Sequence, residues 1–123
     1  MSFSMTPDAI RNRTKTVTRR LAWWDLEPGT LLCAVEKSQG LKKGEKVVRL
    51  ATIRVVSVEC QSLVDICADY EDEGEAYGWR EMRKEGFPQL TPYEFVVMFM
   101  RANNCGPGAP VNRIEFEYVD EEL

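Results

Sequence analysis

The sequence predicts an α+β domain built around a small, strongly bent sheet or barrel, with short helices packed on it. Three stretches carry that prediction. "VVRLATIRVVSVEC" (residues 47–60) is rich in Val, Ile and Thr and reads as one long strand at the centre of the sheet. "RIEFEYV" alternates cleanly, with Ile114, Phe116 and Tyr118 on one face and Glu115 and Glu117 on the other. "TPYEFVVMFMRANN" reads as a helix: Thr91 caps it, Pro92 sits in its first turn, and Glu94 completes a T-x-x-E capping box. Phe95, Met98 and Phe99 follow at helical spacing and are expected to pack inward.

The remaining elements follow in order. Thr6-Pro7 opens a short helix running to about Arg13. The threonine-rich segment after it favours an extended chain, because β-branched side chains restrict χ1 and pack well on a pleated surface. Pro28-Gly29 turns the chain into an apolar strand from about Thr30 to Glu36. "SQGLKKGEK" is a basic, hairpin-like connection. "SLVDICADY" suits a short helix, "EDEGEAYG" breaks the pattern, and "EAYGWREMRKEG" suits a second helix ending at Gly86, a C′ position. With 123 residues, no internal repeat and no low-complexity linker, the chain reads as a single domain over 1–123.

Composition narrows the chemistry. Hydrophobic content of 44% and charged content of 29% are ordinary for a soluble globular protein. No apolar run approaches the roughly 20 residues that cross a bilayer, and "MSFSMTPDAIRNR" lacks the basic and apolar segments of a signal peptide. A cytoplasmic location with free thiols is therefore expected. The chain has no histidine, so Ser-His-Asp and Cys-His catalysis are excluded, as is any zinc site using imidazole. An enzyme of this composition takes its base from a carboxylate, a lysine, a terminal amine or a bound ion. The net charge of −4 is unevenly placed, +6 over residues 1–54 and −10 over residues 55–123. Such a dipolar chain presents one anion-friendly surface.

That surface centres on "NRTKTVTRRL" (residues 12–21). A lysine becomes a usable base only when burial or neighbouring cations bring its pKa well below its ordinary value. Lys15 has Arg11, Arg13, Arg19 and Arg20 close in sequence. A threonine hydroxyl beside a neutral lysine is a workable histidine-free pair. Trp23 and Trp24 follow directly, and alternation in an extended chain sends one inward and one toward the surface. A surface tryptophan next to Arg19 and Arg20 suits a nucleobase and its phosphate. Elsewhere, "DYEDEGEAYGWRE" has the outline of a calcium loop, but its twelfth position is Arg80 where a bidentate glutamate is required. It reads as a solvated acidic loop. Cys33, Cys60 and Cys67 lie in apolar segments and read as small core residues, with Cys105 in a more exposed setting. Neither metal nor cofactor is expected.

The pattern K-T-V-T-R-R at Lys15 to Arg20 carries a family resemblance. Together with the Pro28-Gly29 turn, "EGFP" at Glu85 to Pro88, "TPYEF" at Thr91 to Phe95 and the terminal "VNRIEFEYV", the chain resembles the ASCH domain of the PUA-like superfamily over essentially its whole length. The resemblance implies a small PUA-like β-barrel with short flanking helices and a cleft lined by the K-T-x-T segment. PUA-like barrels commonly bind RNA, and some small bacterial ASCH proteins are amidohydrolases that deacetylate N4-acetylcytidine with a lysine, a threonine and a glutamate. Lys15 and Thr18 match the first two; Glu85 matches the third by position, with Glu81 as the alternative; Arg20 matches an arginine that closes the motif. Arg19 and a longer insert around residues 69–84 depart from those members.

Three functional readings follow. The first is an amidohydrolase of an acylated nucleoside, with Lys15, Thr18 and Glu85 as catalytic residues. The second is a non-catalytic RNA- or nucleotide-binding module using Arg13, Lys15, Arg19, Arg20, Lys42 and Lys43 with Trp23 or Trp24. The third is an interaction domain whose acidic face engages a basic partner. One geometric condition separates them. Lys15 and Thr18 are three residues apart, so a straight strand puts them on opposite faces, and they share a site only where the chain bends or bulges.

Overall fold

One long strand organises the chain. The computed structural model describes residues 1–37, 40–68, 71–72 and 75–120. Its elements are α1 (Pro7–Arg11), β1 (Val17–Arg20), β2 (Leu31–Val35), β3 (Arg49–Ser62), a 3-10 helix (Leu63–Cys67), β4 (Glu71–Asp72), β5 (Glu75–Ala76), α2 (Tyr77–Glu85), α3 (Pro92–Asn103) and β6 (Pro110–Val119). Strands β1, β6, β3 and β2 form an antiparallel sheet in that order, and β4 and β5 make a separate two-stranded ribbon. The sheet curls into a half-barrel. The 14 residues of β3 do most of the bending: the strand pairs with β2 through Arg49–Arg54 and with β6 through Thr52–Ser62. A register shift between Val55 and Ser57 leaves Val56 exposed and bends the strand as a bulge does. Part of the acidic segment discussed above (69, 70, 73 and 74) lies outside the described residues.

The strongest local signals give the elements they predict. Thr91 Oγ1 accepts from the Glu94 amide at 3.1 Å while Glu94 Oε1 accepts from the Thr91 amide at 2.9 Å, a reciprocal capping box at the start of α3. Gly86 ends α2 at φ 86°. The N-terminal helix stops at Arg11, two residues early, because Arg13 turns the chain at φ 59°. The described part of "SLVDICADY", residues 62–68, yields a 3-10 turn over Leu63–Cys67, at whose start the Ser62 amide donates to Asp65 Oδ2 at 2.9 Å. Among the described residues no helix is long and apolar enough to cross a membrane.

The core falls into two clusters. Leu63, Ile66, Met82, Phe87, Phe95, Val96, Phe99 and Val111 gather under the helices. Phe3, Ile10, Ala34, Ile53 and Phe116 gather between α1 and the concave sheet. Gly78 locks the first cluster, because a Cβ there would stand 2.1 Å from the Ile66 carbonyl oxygen and 2.6 Å from Pro92 Cγ. Backbone cannot yield cheaply at such a distance. Gly78→Ala is expected to cost about 3 kcal/mol by overpacking. Urea denaturation measures it, and a variant as stable as the parent would show that α2 is free to shift on its neighbours.

Candidate functional site

The site lies at the seam between the two core clusters. A cavity of about 510 Å³ is lined there by Phe3, Lys15, Thr18, Arg20, Trp23 and Glu85, with Phe87, Phe95 and Phe99 behind them. The strand β1 supplies its polar wall, and both faces of that strand are covered: Val17, Thr18 and Arg19 are all buried. The cavity is thus polar along β1 and aromatic along α3, where Phe95, Met98, Phe99 and Ala102 repeat at helical spacing.

Lys15 stands outside the strand. The Thr14 and Lys15 amides donate to the Ala9 carbonyl at 2.9 and 3.2 Å, and the Thr16 amide donates to the Lys84 carbonyl at 2.8 Å. Tyr118 OH donates to the Lys15 carbonyl at 2.6 Å. Pinned in this way, the segment delivers Lys15 to the same cavity as Thr18 without an internal strand bulge. The Lys15 side chain is 3% exposed, and its Nζ donates to Glu85 Oε1 at 3.0 Å and to the Glu85 backbone carbonyl. Burial pushes Lys15 below its ordinary value of 10.5; Glu85 pulls it back, while Arg20 and Arg19 push it down further. The rings of Phe87 and Phe3 lie 5.7 and 6.0 Å from the Nζ.

Thr18 and Arg20 share the other side of β1. Arg20 Nε donates to the Thr18 hydroxyl at 3.2 Å, its Nη2 donates to the Ser2 carbonyl at 2.6 Å, and its guanidinium lies 4.9 Å from the centre of the Phe3 ring. Lys15 and Thr18 line one cavity but share no hydrogen bond.

Behind the cavity runs a ladder of buried charge. Arg19 Nη1 donates to Glu85 Oε2 at 2.9 Å and its Nη2 donates to Glu81 Oε1 at 2.6 Å. Glu81 in turn takes Arg113 Nε at 2.6 Å and Nη2 at 3.0 Å. Tyr77 OH donates to Glu81 Oε1 at 3.2 Å, and Gln61 Nε2 donates to Tyr77 OH at 2.9 Å. Burial raises the Glu81 carboxyl, but the Arg113 and Arg19 guanidinium groups outweigh that and hold it at about 2. Of the two glutamates offered by the sequence, Glu85 meets Lys15, and Glu81 belongs to the ladder.

The other candidates are placed as follows. Arg13 faces away, paired with Asp120 at 3.2 Å on the surface and stacked over Tyr118, beside a second, shallower hollow. The Arg19 side chain is buried at the back of the cavity, with both Nη atoms committed to Glu81 and Glu85. Lys42 and Lys43 are exposed in the β2–β3 connection. Trp23 and Trp24 are both exposed, at 40% and 49%, where alternation predicted one in the core. Trp23 has φ 66°, so the chain is no longer extended there and the alternation rule lapses. The cysteine reading is also corrected: Cys60 and Cys67 are exposed, Cys33 is half-buried, and Cys105 is the one that packs against the core under α3. Sequence reasoning missed Arg113, Tyr77 and Gln61. Tyr77, Glu81 and Glu85 recur every fourth residue on α2, a row that could have flagged an internal polar face.

Comparison with known proteins bears on the fold. The chain is similar to the crystal structure of protein EF3133 from Enterococcus faecalis V583, described as family DUF984, with a TM-score of 0.54 and 17% sequence identity. The likeness covers 92% of this chain and 66% of that one, so the chain spans just under two thirds of that protein's length. At this identity the likeness defines a shared small curled-sheet α+β fold. No family model and no curated protein sequence matches the chain.

Proposed function

We propose that the chain is an ASCH-type amidohydrolase that removes the acyl group from N4-acetylcytidine or a related acylated nucleoside. The observation that carries this reading is Lys15: a buried amine, proton affinity lowered by desolvation, paired with Glu85 on the wall of a cavity that also holds Thr18. In a chain without histidine, that is the arrangement a base requires.

The steps follow from the placements. Neutral Lys15 takes the Thr18 proton as Oγ1 attacks the acyl carbonyl. Arg20, already donating at 3.2 Å to that hydroxyl, stabilises both the forming alkoxide and the oxyanion. Collapse breaks the C–N bond, and the leaving amine takes the proton from Lys15. Water then attacks the acyl-threonine and gives a proton to Lys15; Lys15 returns it to the departing Thr18 oxygen as the ester bond breaks, and the carboxylic acid released ionises in solvent. Glu85 orients Lys15 throughout. A PUA-like affiliation for the curled sheet belongs to the same reading.

A second reading rests on one observation, the exposure of both Trp23 and Trp24 beside the cationic cavity, which suits stacking of nucleobases in an RNA strand. Incubating the purified protein with N4-acetylcytidine and following cytidine release separates the two. Turnover that disappears in Lys15→Ala is the expected result. No turnover, or turnover that survives Lys15→Ala, removes the hydrolase reading; salt-sensitive RNA binding without turnover supports the second.

A further inference from the structure

The ladder behind the cavity has more cations than carboxylates. Its contacts run Lys15–Glu85–Arg19–Glu81–Arg113, with nitrogen–oxygen distances of 3.0, 2.9, 2.6 and 2.6 Å. Side-chain exposure is 3% or less for all but Arg113, at 10%. Three cations alternate with two carboxylates, so each carboxylate is shared. Removing Arg19 in thought leaves two one-to-one pairs, Lys15 with Glu85 and Arg113 with Glu81. Arg19 is therefore what makes the group one positive charge too rich.

An excess charge in a dry interior is unfavourable, and the cheapest relief is the loss of a proton. Guanidinium groups do not give theirs up. Lys15 is the member that does. We propose that Arg19 is a positioning residue for Lys15: by claiming the second oxygen of Glu85 and tying it to Glu81, it divides the carboxylate that would otherwise neutralise Lys15, and so holds Lys15 as a free amine facing the cavity. The inference rests on the reading of Lys15 as the base and names what regulates that base.

The surroundings of Lys15 agree from every side. The strand β1 that follows it contributes Arg19 and Arg20, both cationic, and α2 contributes the Glu85 carboxylate and carbonyl. The N-terminal segment and the turn after α2 contribute only the uncharged rings of Phe3 and Phe87. Farther along the ladder, Tyr77 and Lys84 (4.0 Å) face Glu81, and Glu115 lies 3.9 Å from Arg113. Among the described residues Glu85 is thus the single carboxylate in contact with Lys15, and Arg19 holds its other oxygen.

The test is a direct titration of the Lys15 amine, read by NMR of protein carrying isotope-labelled lysine and assigned by its absence in Lys15→Met. In the wild type, Lys15 is expected to titrate below the exposed lysines. In Arg19→Gln its midpoint is expected to rise by a pH unit or more, a tenfold or greater gain in proton affinity. Arg19→Lys restores a cation beside Glu85 and is expected to bring the midpoint back toward the wild-type value, which a merely structural role would not do. Should Arg19→Gln fail to fold, the pair Arg19→Gln with Glu81→Gln cuts the ladder between Glu85 and Arg113, leaves Lys15 with an undivided Glu85 and is expected to show the same rise. A Lys15 midpoint that is unchanged or lower once Arg19 is removed overturns the proposal. Turnover is read separately: a wild type that titrates as expected but leaves N4-acetylcytidine intact refutes the reaction and leaves the role of Arg19 standing.

Discussion

Glu81→Gln is expected to destabilise the protein by about 3–5 kcal/mol at neutral pH, the range found when one partner of a buried ion pair is removed. Glu81 is completely buried and is the acceptor for both Arg19 and Arg113. Glutamine fills the same space but leaves two guanidinium groups in the interior without a full negative charge between them. Among the described residues, the carboxylate that Arg113 keeps is Glu115, at 3.9 Å. Arg19 keeps Glu85, which it shares with Lys15.

The same substitution has a pH signature. In the native chain the Glu81 carboxyl lies at about 2, below its ordinary value of 4.5, so the folded state binds its proton less readily than the unfolded state does. A depressed carboxylate contributes stability above pH 4.5 and loses it as pH falls toward 2. At about 1.4 kcal/mol for each tenfold change in proton affinity, that contribution is on the order of 3 kcal/mol. The gap between wild type and Glu81→Gln is therefore expected to be full at pH 7, to narrow below pH 4.5 and to close near pH 2, where protonated Glu81 resembles glutamine. Urea midpoints across that range measure it. A gap that stays constant with pH would show that the loss comes from packing and not from charge.

Features fixed by neighbours in sequence were legible before the structure. The Thr91–Glu94 capping box, the left-handed Gly86 at the end of α2 and the inward Phe95 and Phe99 of α3 follow from local rules, and all are present. Features fixed by contacts across the fold were not. Alternation marks Glu115 and Glu117 as outward on β6, but nothing local marks Arg113 as buried, because its reason for being buried is Glu81, 32 residues earlier. Arg19 reads in the sequence as one more cation of a basic surface, yet two glutamates of α2 enclose it completely. Trp23 shows the same limit in the backbone: a φ of 66° in a non-glycine residue is set by tertiary context and cancels the period-2 pattern that sequence reading relies on. Lys15, Thr18 and Glu85 were legible as candidates, and they line one cavity. The ladder that holds them was not legible.

Lys15→Met is expected to separate function from stability. If Lys15 is the base, the variant loses the proton-transfer step and its deacetylation falls by about a thousandfold. Its stability at pH 7 is expected to stay within about 1 kcal/mol of the wild type, because the changes oppose one another. Methionine has similar length, is apolar and adaptable, and meets the Phe3 and Phe87 rings already within 6.0 Å of the Lys15 Nζ. It removes an amine whose burial disfavours its charge. Against this, the Glu85 backbone carbonyl loses its donor, while the Glu85 carboxylate keeps Arg19 at 2.9 Å. The pH dependence supplies the sign. Native Lys15 sheds its proton below 10.5, so between its depressed value and 10.5 the unfolded chain binds more protons and wild-type stability rises with pH. Lys15→Met lacks that rise, so the wild type is expected to gain on the variant as pH increases through this window. Activity that survives the substitution, together with a loss of several kcal/mol, would make Lys15 a structural partner of Glu85 and nothing more; a stable, inactive variant makes it a residue retained for chemistry at the expense of burial.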